Sequence, residues 1–175
     1  MNARLPEDSL PSFPGHADPP SVSGRPGHEY ILSPMQQGLL FHTLYDGAPG
    51  VYIQQMVCSL HEELDVPAFV RAWGRLLSRH SVLRSSLRWE DPREPGQAVE
   101  RRADIPVAHH DWRDMQPKLQ EIRLQRLLEI DRRRGFDLHQ PPLMRLTLIR
   151  RADADWTCLW TYHHVLVDGR AHRLV

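Results

Sequence analysis

The stretch WTCLWTYHHVLVDG, residues 156–169, decides the fold. Its first nine side chains alternate with a period of two, which predicts a β-strand. One face carries Trp156, Cys158, Trp160, Tyr162 and His164, and the other carries Thr157, Leu159, Thr161 and His163. The two adjacent histidines therefore point in opposite directions, and only one of them can face a given reaction channel.

Further strands and helices are predicted upstream of this stretch. A strand at residues 143–149 and the polar segment 150–155 predict a β-hairpin with it. Three more segments have strand character: residues 51–60, 82–90 and, more weakly, 105–110. Apolar residues at helical spacing predict three helices, at residues 34–44, from 66 to about 80, and from about 114 to 134. Helices mixed with strands indicate an α/β (α+β) fold built as a two-layer sandwich.

Capping residues mark the helix boundaries. Ser33 is the predicted N-cap of the first helix, and Gln36 completes a capping box with it. Asp65 is the predicted cap of the second helix. The third helix ends in three arginines followed by Gly135, which suits a helix C-terminus.

Composition excludes several classes of function. The chain has 175 residues, with 22 basic and 22 acidic side chains, so no excess charge favours nucleic acid or an anionic membrane surface. No apolar run approaches the ~20 residues of a membrane span, and the first residues carry no hydrophobic signal core. Two cysteines do not make a disulfide framework. We therefore expect a cytoplasmic protein.

The chain divides into a leader and one domain. Residues 1–28 are rich in proline, serine and glycine, and we predict a disordered leader there because such a segment buries little apolar area. A docking tail for an upstream protein is the alternative. Residues 29–175 form the predicted domain.

The histidine pair followed by an aspartate and a glycine points to acid–base chemistry. An imidazole can accept a proton at one ring nitrogen while a partner fixes the other. Asp168 lies four residues beyond His164, and Gly169 permits a tight turn close to a substrate. The alternative is a core histidine beside an ordinary turn, but four specified residues in this arrangement favour a functional site. Adjacent histidines that face opposite ways do not suit zinc, and we predict no metal site.

Four motifs resemble those of the condensation domains of nonribosomal peptide synthetases. Residues 32–42, LSPMQQGLLFH, are similar to the opening motif of this family. Residues 79–84, RHSVLR, are similar to the second motif, although Ser81 stands where glutamate is usual. Residues 136–145 include FDL and PLMR, which resemble the segment before the histidine strand, and residues 163–169 match HHxxxDG.

The resemblance implies a chloramphenicol-acetyltransferase-like fold of two lobes in a V, with the active site in the channel between them. The resemblance also implies that this chain corresponds to the first lobe, without the C-terminal lobe. We therefore expect an incomplete site, and a fragment that is inactive alone.

The resemblance also implies a reaction and its partners. An acceptor amine attacks a donor acyl or peptidyl thioester and forms a peptide bond. Both substrates are carried on the phosphopantetheine of donor and acceptor peptidyl carrier domains, and no cofactor binds the domain directly.

Residue by residue, the resemblance implies roles in the site for His163, His164, Asp168 and Gly169. His164 is the principal catalytic histidine, and His163 is its more structural neighbour. Asp168 is a structural aspartate held by an arginine, for which Arg84 and Arg145 are the candidates. Gly169 lines the reaction centre. A free α-amine has a pKa of about 8, so orienting the amine and taking its proton during attack would suffice for His164.

Other functions are also compatible with the histidine motif. Epimerization domains share HHxxxDG, and other acyltransferases use HxxxD or HxxxxD, including plant-type acyl-CoA transferases of the same fold. A non-catalytic fragment that binds a carrier protein is the third possibility.

Overall fold

The computed structural model describes residues 28–45, 48–91 and 94–167. The strands are β1 (His28–Ile31), β2 (Ile53–Leu60), β3 (Ser85–Arg88), β4 (Gly96–Val99), β5 (Val107–Asp111), β6 (Met144–Ala152) and β7 (Asp155–His163). The helices are α1 (Pro34–Tyr45), α2 (Val66–Arg79) and α3 (Pro117–Arg134), with a short 3-10 helix at Ser81–Arg84. The predicted leader lies outside the described residues, except His28, which begins β1.

The larger of two sheets contains the histidine strand at an interior position. Its order is β2-β7-β6-β5, antiparallel except for the parallel β5–β6 pair. The predicted hairpin of β6 and β7 is confirmed, with an irregularity in register between Arg150 and Ala152. A second, three-stranded antiparallel sheet has the order β1-β4-β3. The predicted mixture of helices and strands is therefore confirmed.

Both faces of β7 are buried, with different contacts. The face with Trp156 and Trp160 joins the larger core, which includes Leu77 of α2 and Leu87 of β3. On the opposite face, Leu159 packs with buried leucines of α3. The period-two pattern of the sequence thus corresponds to the two faces of β7, and each face packs into a different hydrophobic core.

The predicted caps are confirmed. Ser33 and Gln36 form the reciprocal capping box, with the Gln36 Oε1 3.0 Å from the Ser33 N–H and the Ser33 hydroxyl accepting from the Gln36 N–H at 3.3 Å. The Asp65 carboxylate accepts from the Ala68 N–H at 2.9 Å. Gly135 ends α3 with a φ of 61°, a conformation that glycine adopts without strain.

The structure differs from prediction in two places. Residues 81–84 form a 3-10 helix where a strand beginning at 82 was predicted, because the Leu83 N–H bonds to the His80 carbonyl at 3.1 Å and closes a turn. The strands β1 and β4 were not predicted. Each has four residues. Strand β1 forms by pairing with β4, which is distant in sequence, and β4 also pairs with the nearby strand β3.

Helix α1 forms as predicted, but its apolar residues are mostly outside the core. Leu40 is the one buried residue among those described in this helix, whereas Met35 is 71% exposed and Leu44 is 44% exposed. None of the helices among the described residues has the length and apolar character needed to cross a membrane.

Candidate active site at the end of the histidine strand

The two histidines sit where β7 ends and the chain turns. His163 is the last residue of β7, and the Leu166 N–H closes the turn on the His163 carbonyl at 3.1 Å. The His164 N–H donates to the Tyr52 carbonyl at 2.8 Å, which ties the turn to the loop before β2. Backbone hydrogen bonds therefore fix the position of both residues.

His163 is fully enclosed, with both ring nitrogens in hydrogen bonds. The Val165 N–H donates to Nδ1 at 3.2 Å, and Nε2 lies 3.3 Å from the Thr43 hydroxyl oxygen. An N–H group can only donate, so Nδ1 is unprotonated and Nε2 carries the proton of the neutral ring. Burial, and secondarily repulsion from His164, lowers the pKa of His163 to about 4. The His163 ring is therefore neutral near pH 7.

His164 is partly exposed and held in the opposite tautomer. Its Nδ1 lies 2.9 Å from the Val167 carbonyl oxygen. A carbonyl oxygen can only accept, so Nδ1 carries the proton and Nε2 of the neutral ring keeps its lone pair. A histidine held this way can accept a proton at Nε2 without first turning its ring.

The loop before β2 adopts an unusual backbone beside this site. Tyr52, whose carbonyl accepts from His164, has a φ of 60°, which is uncommon for a residue with a side chain. Gly50 has a φ of 86° and lies against the last turn of α3, where a Cβ would be 2.8 Å from Cγ of Arg132 and 3.0 Å from its carbonyl oxygen. The loop that holds His164 thus rests on α3.

A buried ion pair, which the sequence did not predict, holds β7 two residues before His163. The Asp131 carboxylate accepts from the Arg145 Nε at 2.6 Å, from the Thr161 hydroxyl at 2.6 Å and from the Gln55 side-chain amide at 2.9 Å. Asp131 is 2% exposed. These bonds join the end of α3 to three strands and fill the acceptor positions that a buried carboxylate requires.

The two arginines proposed as partners of Asp168 have other partners among the described residues. Besides Asp131, Arg145 donates from Nη1 to the Gly135 carbonyl at 2.7 Å, and its guanidinium lies over the Phe136 ring. Arg84 donates to the carbonyls of Leu77, Ser78 and Glu100. Asp168 and Gly169 lie outside the described residues, so their predicted roles, and any pairing of Asp168 with an arginine, stay predictions.

The two cysteines are free thiols. Cys58 and Cys158 face each other across β2 and β7, with Cys58 exposed and Cys158 buried. Burial raises the pKa of the Cys158 thiol to about 11, so this thiol is a poor nucleophile near neutral pH. Within the described ranges, histidine, cysteine and acidic side chains form no group of three or more that could hold a metal ion.

Comparison with known proteins identifies the family of this chain. The family model of the condensation domain matches residues 27–175. The chain is 41% identical over 167 residues to a linear gramicidin synthase of Brevibacillus parabrevis, covering 95% of this chain and 3% of that protein. It is 34% identical over 146 residues to bacitracin synthase 3 of Bacillus licheniformis, covering 83% of this chain and 2% of that protein. The chain thus spans a few per cent of the length of these curated relatives.

Solved structures of low sequence identity show the same fold. The starter condensation domain of rhizomide synthetase matches with a TM-score of 0.72 at 22% identity, over 84% of this chain and 36% of that one. A four-domain nonribosomal peptide synthetase bound to AMP and glycine matches with a TM-score of 0.69 at 19% identity, over 85% of this chain and 11% of that one. The family model that matches residues 27–175 shows that the chain belongs to the condensation domain family of nonribosomal peptide synthetases.

Proposed function

We propose that this chain is the first lobe of a condensation domain that forms an amide bond between two carrier-bound substrates. The observation that carries the proposal is the fixed tautomer of His164, which makes Nε2 the unprotonated ring nitrogen at the end of β7. The relatives named above are synthases of linear gramicidin and of bacitracin, and this agrees with peptide-bond formation.

The proposed reaction uses His164 to move one proton. The α-amine of the acceptor attacks the thioester carbon of the donor, and Nε2 of His164 takes a proton from the nitrogen as the C–N bond forms. The tetrahedral intermediate then collapses, the C–S bond breaks, and the departing thiolate takes that proton from His164. Because an amine of pKa about 8 is partly neutral near pH 7, orientation contributes alongside base catalysis.

The neutral state of His163 supports this cycle. His164 becomes positively charged when it takes the proton, and a second charge on the adjacent ring would oppose that step. The lowered pKa of His163 keeps its ring uncharged at the pH of the reaction. We therefore assign His163 a supporting role and His164 the catalytic role.

The proposed site also includes residues that lie outside the described part of the chain. Asp168 and Gly169 would complete the turn after His164, with Arg84 or Arg145 near Asp168. The domain at residues 29–175 would work with a C-terminal lobe and with donor and acceptor carrier domains, whose phosphopantetheine arms present the substrates. Such synthetases would act in the cytoplasm.

The test is replacement of His164 in a two-lobed domain that carries this sequence as its first lobe. With loaded donor and acceptor carrier domains, we expect His164→Ala to reduce the rate of dipeptidyl-carrier formation by about 100-fold, measured by intact-protein mass spectrometry. His61→Ala is the matched control, because the exposed His61 pairs with Asp155 far along the strand from the site. An unchanged rate in His164→Ala would refute the proposed function.

A further inference from the structure

We infer that Thr43 of α1 is a positioning residue for His164, acting through His163. The inference rests on the proposed function, because it assigns His164 the reacting nitrogen. Thr43 lies on α1 and His163 at the end of β7, so their contact joins two elements that are 120 residues apart in sequence.

The hydroxyl of Thr43 can only accept a hydrogen bond from His163. Its single proton is committed to the Leu39 carbonyl, which lies 2.7 Å from the oxygen. The oxygen then faces Nε2 of His163 at 3.3 Å and accepts the proton that Nε2 carries. Thr43 thus selects, from the α1 side, the same tautomer that the Val165 N–H selects from the turn.

The ring of His163 transmits this constraint to His164. The Val165 N–H bonds to the His163 ring, and the Val167 carbonyl accepts from the His164 ring. Both residues belong to the segment that follows β7, so a rotation of the His163 ring would release Val165 and change the backbone around His164. Three hydrogen bonds therefore link Thr43 to the His164 ring, through the His163 ring and the backbone of residues 165–167.

Removal of the hydroxyl would leave a buried donor without an acceptor. His163 is 1% exposed, so its Nε2–H has no replacement by bulk water, and a buried unsatisfied donor favours a different ring position. A serine at position 43 would keep the acceptor, whereas a valine would keep the shape and lose it. This pair of substitutions separates hydrogen bonding from packing.

The first experiment measures condensation in the two-lobed domain. We expect Thr43→Val to lower kcat at least 10-fold with little change in KM for the loaded carrier domains, and Thr43→Ser to stay within about threefold of the wild type. Ser78→Ala is the matched control, because the Ser78 hydroxyl makes the same bond to a carbonyl four residues earlier in α2 without touching a histidine. A Thr43→Val domain with wild-type kcat would overturn the inference.

The second experiment reads the histidine tautomers directly and needs no substrate. In long-range 1H–15N correlation spectra of the same domain, we expect an Nε2–H pattern for His163 and an Nδ1–H pattern for His164. Thr43→Val should convert His164 to a mixture of tautomers, and Thr43→Ser should not. Should Thr43→Val fail to fold, Thr43→Ala takes its place, and an unchanged His164 pattern in a folded variant contradicts the inference.

The two experiments separate the two proposals. If the wild-type domain makes no amide bond but the tautomer of His164 depends on Thr43, the proposed function fails and the positioning role stands. If the domain is active and neither kcat nor the tautomer responds to Thr43→Val, the positioning role fails and the proposed function stands.

Discussion

Helices α3 and α1 both hold the histidine strand, and they do so in different ways. Helix α3 buries four of its residues and inserts the Asp131 carboxylate between Arg145 and Thr161. Helix α1 buries Leu40 alone among its described residues and reaches the end of the strand through the hydroxyl of Thr43. One attachment is a buried charge pair, and the other is a chain of neutral hydrogen bonds.

The contact with α3 contributes mainly to stability, whereas the contact with α1 affects the protonation of the histidines. A buried carboxylate and guanidinium are costly to disturb, so the α3 attachment fixes where the strand lies. The neutral attachment at α1 fixes which nitrogen of each histidine carries a proton, without placing another charge beside His164. The ring of the reacting residue is thus connected to α1 through hydrogen bonds between uncharged groups.

Loss of the Asp131 carboxylate should produce the largest effect, because it breaks the α3 attachment. Asp131→Ala leaves the Arg145 guanidinium buried without its counter-charge, and we expect a loss of about 3–5 kcal/mol in the free energy of unfolding. Urea-induced unfolding of the full chain, followed by circular dichroism, measures this loss.

The control for this prediction is Glu129→Ala in the same helix. Glu129 pairs with Arg133 at 2.8 Å on the exposed face, and its loss should cost less than about 1 kcal/mol. Equal effects of the two substitutions would show that burial does not distinguish these two ion pairs, and the comparison of α3 with α1 would lose its basis.

The sequence predicted the elements that local signals define. The capping box at Ser33, the cap at Asp65 and the alternation in β7 each rest on neighbouring residues, and the structure confirms all three. The short strands β1 and β4 were missed because four residues are too few to show a clear alternation, and β1 becomes a strand only by pairing with the distant β4.

The sequence pointed to the histidine pair but gave no information about its protons. The tautomers depend on the Val165 N–H and the Val167 carbonyl, and backbone groups look the same in every sequence. Asp131 was missed because an aspartate near the end of a polar helix gives no sign that it is buried. Asp131 pairs with Arg145, an arginine that the sequence analysis considered only as a partner of Asp168.

Acid should weaken the α1 attachment. The unfolded chain binds a proton at His163 near the ordinary pKa of 6.5, whereas the folded chain binds it only near pH 4. The unfolded state therefore holds more protons between these values, so the free energy of unfolding falls as the pH decreases from 6.5 to 4, by about 3 kcal/mol. Urea unfolding at a series of pH values measures the slope.

A variant without this imidazole isolates the contribution of His163. Burial also lowers the pKa of His110, which adds a dependence of the same sign. The free energy of unfolding should therefore fall further in the wild type than in His163→Gln between pH 6.5 and 4, and this difference comes from His163 alone. Parallel pH profiles of the two proteins would contradict the assignment of a neutral, buried His163.

The smallest effect should come from the loop that joins the two attachments. Gly50→Ala places a Cβ 3.0 Å from the Arg132 carbonyl oxygen and requires a left-handed backbone that alanine disfavours. We expect a loss of about 2 kcal/mol in the free energy of unfolding, measured by urea. The same loop presents the Tyr52 carbonyl to His164, so its displacement disturbs the α1 side as well.

Gly38→Ala on α1 is the matched control, and it should act in the opposite direction. Gly38 lies inside the helix, where, apart from the adjacent helix backbone, no heavy atom of the described residues comes within 4 Å of an added Cβ. Alanine there should stabilise the chain by about 0.5–1 kcal/mol. If Gly38→Ala raises the free energy of unfolding and Gly50→Ala lowers it, the exposed face of α1 tolerates a larger side chain and the loop against α3 does not. If Gly38→Ala instead destabilises the chain, the exposed face of α1 is covered in the folded protein. The difference in packing between α1 and α3 would then hold only at the end of α1 that carries Thr43.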